Sequence, residues 1–172
     1  MRCWRADNEA RRECEADPPE ADPLRVAHPP RYTSAVPPTE FEFTIRTRGR
    51  LDLANVTREL AQAVRESGVE SGTALAFVPH ATCALLLNED EPGLREDMLR
   101  LVSEVIEPLR RKAPFAHDRI DDNASAHLGA ILLGPSLTIP VSNGRPALGT
   151  WQCLFLVELD GPRSRTLRVV VR

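Results

Sequence analysis

Three histidines, His80, His117 and His127, fall in one stretch with Asn88, Glu89, Asp90 and Glu91 and with a closing Gly149-Thr150-Trp151-Gln152. Imidazole titrates near neutrality and is a common metal ligand. The three histidines are expected at a strand end, in a loop and on a helix. Separated elements of this kind can converge on one metal and leave a fourth position open for water or substrate. Such ligands suit zinc or another late transition metal better than magnesium. The spacing is not HExxH or any tight ligand pair, so three independent histidines making local hydrogen bonds is the competing reading. Glu89 and Asp97 are candidate acid–base groups, a role that requires a shifted pKa. Asp97 also reads as a solvated residue of a helix. Asp90 and Glu91 are accounted for by the start of a helix, where acids are favoured. Ser136, Thr150 and Gln152 offer polar contacts, and Gly149 permits close approach of a ligand. Neither GxGxxG nor GxxxxGK[ST] is present, so none of these residues belongs to a phosphate loop of those types.

The elements that must carry these residues follow from periodicity. Phe41, Phe43 and Ile45 alternate with polar residues, a half-buried strand. Leu51 and Leu53 resume the alternation. Asn55 or Thr57 can cap a helix to Ser67, with Val56, Leu60 and Val64 on one face and Gly68 as its stop. Residues 73–78 read as a buried strand, with His80 at its mouth, and 81–87 as the next. Pro92 suits a first helical turn. The helix to about Arg111 places Leu94, Met98, Leu101, Val102, Val105 and Leu109 on one side. The loop 112–122 carries His117. Asn123 can cap a helix over 124–133, with Gly134 as its end. Residues 137–141 form a strand, and Asn143-Gly144 is a hairpin signal. A long strand is expected over 148–159, with Thr150 and Gln152 on one face and Trp151 on the other. Asp160-Gly161 is a second hairpin signal before a last strand in which Leu167, Val169 and Val171 alternate. The sum is α+β, with mixed or antiparallel sheets, two or three helices mid-chain and a closing meander.

Composition narrows the function classes. A hydrophobic fraction of 42% and a charged fraction of 27% over 172 residues describe an ordinary globular domain with a tail. A net charge of -3 argues against nucleic acid as the main partner. No apolar run has the length of a membrane span. The first residues lack a signal-peptide core, so a cytoplasmic protein is expected. Residues 1–38, proline-rich and charged, read as a disordered extension, and His28 within it has no role. The four cysteines form no CxxC pair, and Cys83 and Cys153 in apolar runs read as small packed hydrophobes.

Pro79-His80-Ala81-Thr82, then Asn88-Glu89, then Asp122-Asn123-Ala124-Ser125-Ala126-His127-Leu128 and Leu133-Gly134-Pro135-Ser136 occur in order. Ile139-Pro140-Val141, Gly144 and Leu148-Gly149-Thr150-Trp151-Gln152 follow. Together they resemble the YjbQ family, UPF0047, over residues 39–172. The resemblance implies a compact α+β subunit in a homotrimer, with the histidines near a cleft. It also implies a weak or secondary thiamine-phosphate synthase activity, with magnesium if pyrophosphate departs, on small phosphorylated substrates. Its pattern includes the positions of His80, His117 and His127, which supports a shared site for the candidate metal ligands, and those of Asn88, Glu89 and Asp97. Thr82, Asn88, Asn123, Ser136, Thr150 and Gln152 lie in or beside its motifs as expected substrate contacts. Two positions depart from the family pattern: Ala81 stands where a second Thr is usual, and Cys83 where Ala is usual. A metal-dependent hydrolase or lyase, and a non-catalytic ligand-binding trimer, are the alternatives the residues leave open.

Overall fold

A computed structural model describes residues 38–172. The proline-rich extension and His28 lie outside the described residues. The elements in order are β1 (Thr39–Arg46), β2 (Asp52–Asn55), α1 (Thr57–Ser67), β3 (Ser71–Phe77) and β4 (Cys83–Glu89). There follow α2 (Pro92–Lys112), a 3-10 turn (Ala116–Arg119), α3 (Ala124–Leu133), β5 (Ser136–Ser142), β6 (Arg145–Pro146), β7 (Gln152–Glu158) and β8 (Ser164–Val171). This is the α+β class, and every strand pairing is antiparallel. Among the described residues no helix is long and apolar enough to cross a membrane.

Two sheets form the frame, one ordered β1-β8-β3-β5-β6 and the other β2-β7-β4. β7 and β8 are consecutive but belong to different sheets. Asp160-Gly161 is therefore a passage between sheets rather than the hairpin its residue types indicate, and the closing meander is replaced by a crossing. Asn143 (φ 51) and Gly144 (φ 64) do form the tight β5–β6 hairpin, with the paired positive φ values of a type I′ turn.

One core fills the space between the sheets, built from Ile45, Cys83, Leu85, Leu154, Leu156, Leu167, Val169 and others. Helix α1 and the residue before it close it with Val56, Leu60 and Val64, all at most 1% exposed. Burying each such aliphatic side chain contributes roughly 1.5–3 kcal/mol. The helix stops at Gly68, whose φ of 70 is left-handed and suits glycine. A second core, with Phe155, Val157, Ala84, Met98 and Ala126, lies on the other side of the smaller sheet under α2 and α3. Strand β7 is thus covered on both faces, which is why Leu154 to Leu159 reads as an unbroken apolar run interrupted only by Glu158.

Helix α2 starts at Pro92, capped by Glu91, whose carboxylate accepts the Gly93 and Leu94 N–H groups at 2.9 and 2.7 Å. Its buried side chains are Met98 and Ile106. Leu101, Val105 and Leu109, expected on the packed side, are exposed. They share a stripe spaced by four that is rotated away from the Met98–Ile106 line.

Candidate functional site

The alternation of β8 continues backward from Leu167 to Arg165, so Arg165 points into the space between the sheets. Glu158 follows Leu154 and Leu156 on the facing side of β7 and is fully buried. The two meet at the end of the inter-sheet core. Arg165 Nε donates to Glu158 Oε2 at 2.7 Å and Nη2 to Oε1 at 2.5 Å. Nη2 also donates to the Thr82 hydroxyl at 2.9 Å. Glu158 further accepts from the Thr47 hydroxyl (3.0 Å) and from the Leu159 and Asp160 N–H groups (3.0 and 2.9 Å). Burial alone would raise the Glu158 pKa. The bonds from Arg165, the Asp160 N–H and Thr47 outweigh it and hold the carboxyl below its ordinary value. A charge pair this deep is tolerated because its lone pairs and protons are satisfied.

His80 stands beside this pair. Its Nε2 accepts the Thr166 N–H at 2.8 Å. A neutral imidazole that accepts at Nε2 carries its proton on Nδ1. Burial, then the Arg165 charge, push the His80 pKa down, with Glu158 opposing.

A second arrangement is centred on Asn123, the residue before α3. Its Nδ2 donates to Asp121 Oδ2 at 3.0 Å and to Asp160 Oδ2 at 3.2 Å. With both amide protons committed, Oδ1 faces the His117 Nε2 at 3.1 Å. His117 must then donate from Nε2, and Nδ1 holds the lone pair. The His127 ring, one turn into α3, lies edge-on to His117 with centroids 5.0 Å apart. Asn123 caps α3 through its carbonyl, which accepts the Ala126 N–H at 2.9 Å, while its side chain serves the histidine. Burial would raise the Asp160 pKa, but the Asn123 and Arg163 bonds hold it below the ordinary value.

The two arrangements are joined. Asp160 offers its carboxylate to Asn123 and its N–H to Glu158, and Glu158 leads to Arg165, Thr82 and the His80 strand end. Of the histidines, His117 belongs to this network, His127 packs against its ring, and His80 abuts the other end through the N–H of Thr166, so the three do not meet at one point. Among the described residues no three His, Cys, Asp or Glu side chains are grouped to hold a metal ion. The expected three-imidazole set is not assembled within one chain, because the Thr166 N–H engages His80 Nε2 and Asn123 draws His117 to the α3 end.

The other expected residues are placed elsewhere. β4 and β7 pair with Cys83 opposite Glu158 at one end and Glu89 opposite Gln152 at the other, roughly 20 Å apart along the strand. Asn88, Glu89, Thr150 and Gln152 are at that far end. Asn88 Nδ2 approaches the Met98 sulfur at 3.5 Å, and Gln152 Oε1 accepts the Gly149 N–H at 2.9 Å. Thr150 sits in a turn before β7, not on the strand, so it shares no strand face with Gln152. Trp151 is 70% exposed. Asp97 is on the solvent side of α2, paired with Arg100 at 2.8 Å. Ser136 opens β5 opposite Phe77, exposed. The hydroxyl of Thr82 is buried and held by Arg165.

Sequence reasoning passed over Glu158, Asp160 and Arg165. The signal was there: an acid within an apolar run, and an arginine on the apolar parity of the last strand. Beside the network, α2 and α3 enclose a cavity of about 250 Å³ lined by Arg50, Leu51, Ile106, Ser125, Ala126 and Leu159, among others. Cys83, fully buried next to the ion pair, has its thiol pushed up to about 11, chiefly by burial. Its alkylation in the native protein at pH 8 should be roughly 100-fold slower than that of a free thiol. Peptide mass mapping before and after denaturation checks this, and equal labelling rates would refute it.

The sequence profile of the YjbQ family, described as UPF0047 protein YjbQ-like, matches residues 41–172. A UPF0047 protein of Archaeoglobus fulgidus is 41% identical over 132 residues, 77% of this chain and 98% of that protein. The UPF0047 protein YugU of Bacillus subtilis is 37% identical over 126 residues, 71% of this chain and 90% of that protein. Among solved structures, a YbjQ-like protein of unknown function from Sulfolobus solfataricus superposes with a TM-score of 0.74 at 41% identity. It covers 78% of this chain and 96% of its own. A hypothetical protein from Aeropyrum pernix gives 0.73 at 39% identity, over 78% of this chain and 98% of its own. The family profile across residues 41–172 and relatives up to 41% identical over most of their own length make this chain a member of the YjbQ-like UPF0047 family.

Proposed function

We propose that this chain is an enzyme of the hydrolase or lyase type acting on a small molecule, with His117 as its acid–base residue. The observation that carries the reading is the Asn123 amide. Locked by Asp121 and Asp160, it accepts a hydrogen bond from His117 Nε2–H and leaves Nδ1 as a lone pair on an exposed ring. Orientation of an imidazole by a third group is what general-base catalysis uses. His117 Nδ1 would accept a proton from water as it adds to an electrophilic centre, and return it to the leaving group. His127 packs against the ring and holds its plane.

A late transition metal suits part of this donor set, since a ligating histidine commonly gives its other N–H to a carbonyl or carboxylate. His117 Nδ1 and His127 would hold such an ion in place of the acid–base role of Nδ1, and the ion would supply Lewis acidity. They are two imidazoles, one fewer than the protein ligands typical of catalytic zinc.

A second reading is thiamine-phosphate synthase-type transfer with magnesium. There a thiazole nitrogen attacks an exocyclic pyrimidine carbon and pyrophosphate leaves. Arg165 favours it, because a departing pyrophosphate needs a positive donor.

The test compares wild type, His117→Ala and His127→Ala by elemental analysis and against phosphatase, esterase, lyase and thiamine-phosphate synthase substrates. The first reading expects hydrolase or lyase turnover that falls by about 100-fold or more in His117→Ala. Synthase turnover alone would transfer the assignment to the second reading. Turnover that His117→Ala leaves intact would sink the first.

A further inference from the structure

The buried guanidinium of Arg165 is only partly used. Its Nε and Nη2 are committed to Glu158 and Thr82. Among the described residues Nη1 has no hydrogen-bond partner. It is not sealed off either: the only buried side-chain polar atoms without a partner there are Glu59 Oε2 and Asp118 Oδ1. The residue as a whole is 6% exposed, and that opening is where Nη1 meets solvent.

His80 opens on the same place. Beyond the last β3–β8 pair, Phe77 opposite Arg168, the His80 side chain replaces the ladder: its Nε2 takes the N–H of Thr166, the residue after Arg165, and the ring lies close enough to feel the Arg165 charge. The Thr166 N–H fixes His80 as an Nδ1–H donor. Two N–H sources that cannot serve as acceptors thus stand together at the mouth of a core otherwise closed by Glu158. The carboxylate of Glu158 is consumed by Arg165, Thr47 and two backbone N–H groups. Its oxygens are occupied, so it has little capacity left to compete with an anion for the free N–H groups.

We infer that His80 Nδ1–H and Arg165 Nη1 form an oxyanion-binding subsite that takes the phosphate or carboxylate group of a small molecule. Its place in catalysis rests on the His117 reading; its existence as an anion site does not. Arginine suits such ligands because Nη1 keeps its N–H donors while the rest of the guanidinium is held by Glu158 and Thr82, and charge-assisted bonds are the stronger kind.

The test is calorimetric titration of the full chain with inorganic phosphate and, separately, with acetate at low ionic strength. Wild type should bind at a single saturable site. His80→Leu, and Arg165→Lys, which keeps the charge but loses the fork, should each weaken binding about 10- to 100-fold. His80→Gln offers an oxygen to the Thr166 N–H and an amide N–H outward, and should bind within about threefold of wild type. His80 is only half-buried, so His80→Leu decides the matter if Arg165→Lys fails to fold. Tighter binding of phosphate assigns a phosphorylated ligand; tighter binding of acetate assigns a carboxylate. His117→Ala should bind phosphate like wild type. If it does so and keeps turnover, the catalytic reading falls and the anion site stands. No saturable binding of either anion, or unchanged binding in His80→Leu, overturns the inference.

Discussion

Replacing Arg165 with methionine should lower the unfolding free energy by about 3–5 kcal/mol, because it strands a buried carboxylate. Glu158 is fully buried, and Arg165 supplies two of its bonds. The loss is the penalty of the charge left behind more than the worth of the pair, and the second substitution shows this. Glu158→Gln removes the charge but keeps an oxygen for the Leu159 and Asp160 N–H groups. Added to Arg165→Met, it should recover roughly half the loss, whereas Glu158→Gln alone strands the guanidinium and destabilises. Urea denaturation of the three variants measures this. A loss below about 1 kcal/mol in Arg165→Met, or a double variant no more stable than the single, would contradict it. The same pair sets an acid limit. The Glu158 carboxyl is held below its ordinary value of 4.5. Its contribution is therefore complete above that pH and is lost as pH falls through the lower, folded value. Glu158→Gln should flatten the acid limb of the stability profile.

Local signals fixed most of the elements. Gly68, Pro92 and Asn143-Gly144 mark boundaries because each backbone geometry there is chosen by one residue type. Alternation in β1 and β8 reports a sheet with one face packed and one wet. What local signals miss is which strands pair. Asp160-Gly161 has the residues of a hairpin, yet the chain crosses between sheets there, and nothing local to two residues distinguishes the cases. The sequence places Thr150 on β7 because Trp151 and, after Gln152, a continuous apolar run from Cys153 follow it, although that run reflects burial on both faces. On α2, Leu101 and Ile106 are equally apolar, and only the position of α3 decides that Ile106 is buried and Leu101 is 63% exposed. For the site, the histidines were legible from type alone. Their separation was not, since it depends on Asn123, on the Thr166 N–H and on tertiary pairing. Glu89 follows His80 closely in the sequence, but the antiparallel β4–β7 pair carries it, beside Gln152, to the opposite end.

Asn123→Leu should leave the fold in place but weaken the function of His117 by about 10- to 100-fold, the usual effect of losing a group that orients a histidine. The leucine matches the amide in size and offers no acceptor. His117 Nε2 then loses the partner that fixes its tautomer, and Nδ1 is a lone pair only part of the time. α3 should survive, because its first N–H groups bond the carbonyl of residue 123, which leucine retains. Asn123→Asp separates orientation from charge. It keeps an oxygen for His117 but sets a third carboxylate beside Asp121 and Asp160, which lose their shared donor. The repulsion should make it the less stable of the two, while its His117 keeps the native tautomer. The direct readout is the nitrogen chemical shifts of the His117 ring, which distinguish a proton on Nε2 from one on Nδ1 without any substrate. Wild type and Asn123→Asp should show the Nε2–H form, and Asn123→Leu a mixture. If Asn123→Leu retains a pure Nε2–H tautomer, the amide does not set it, and the acid–base assignment loses its physical basis.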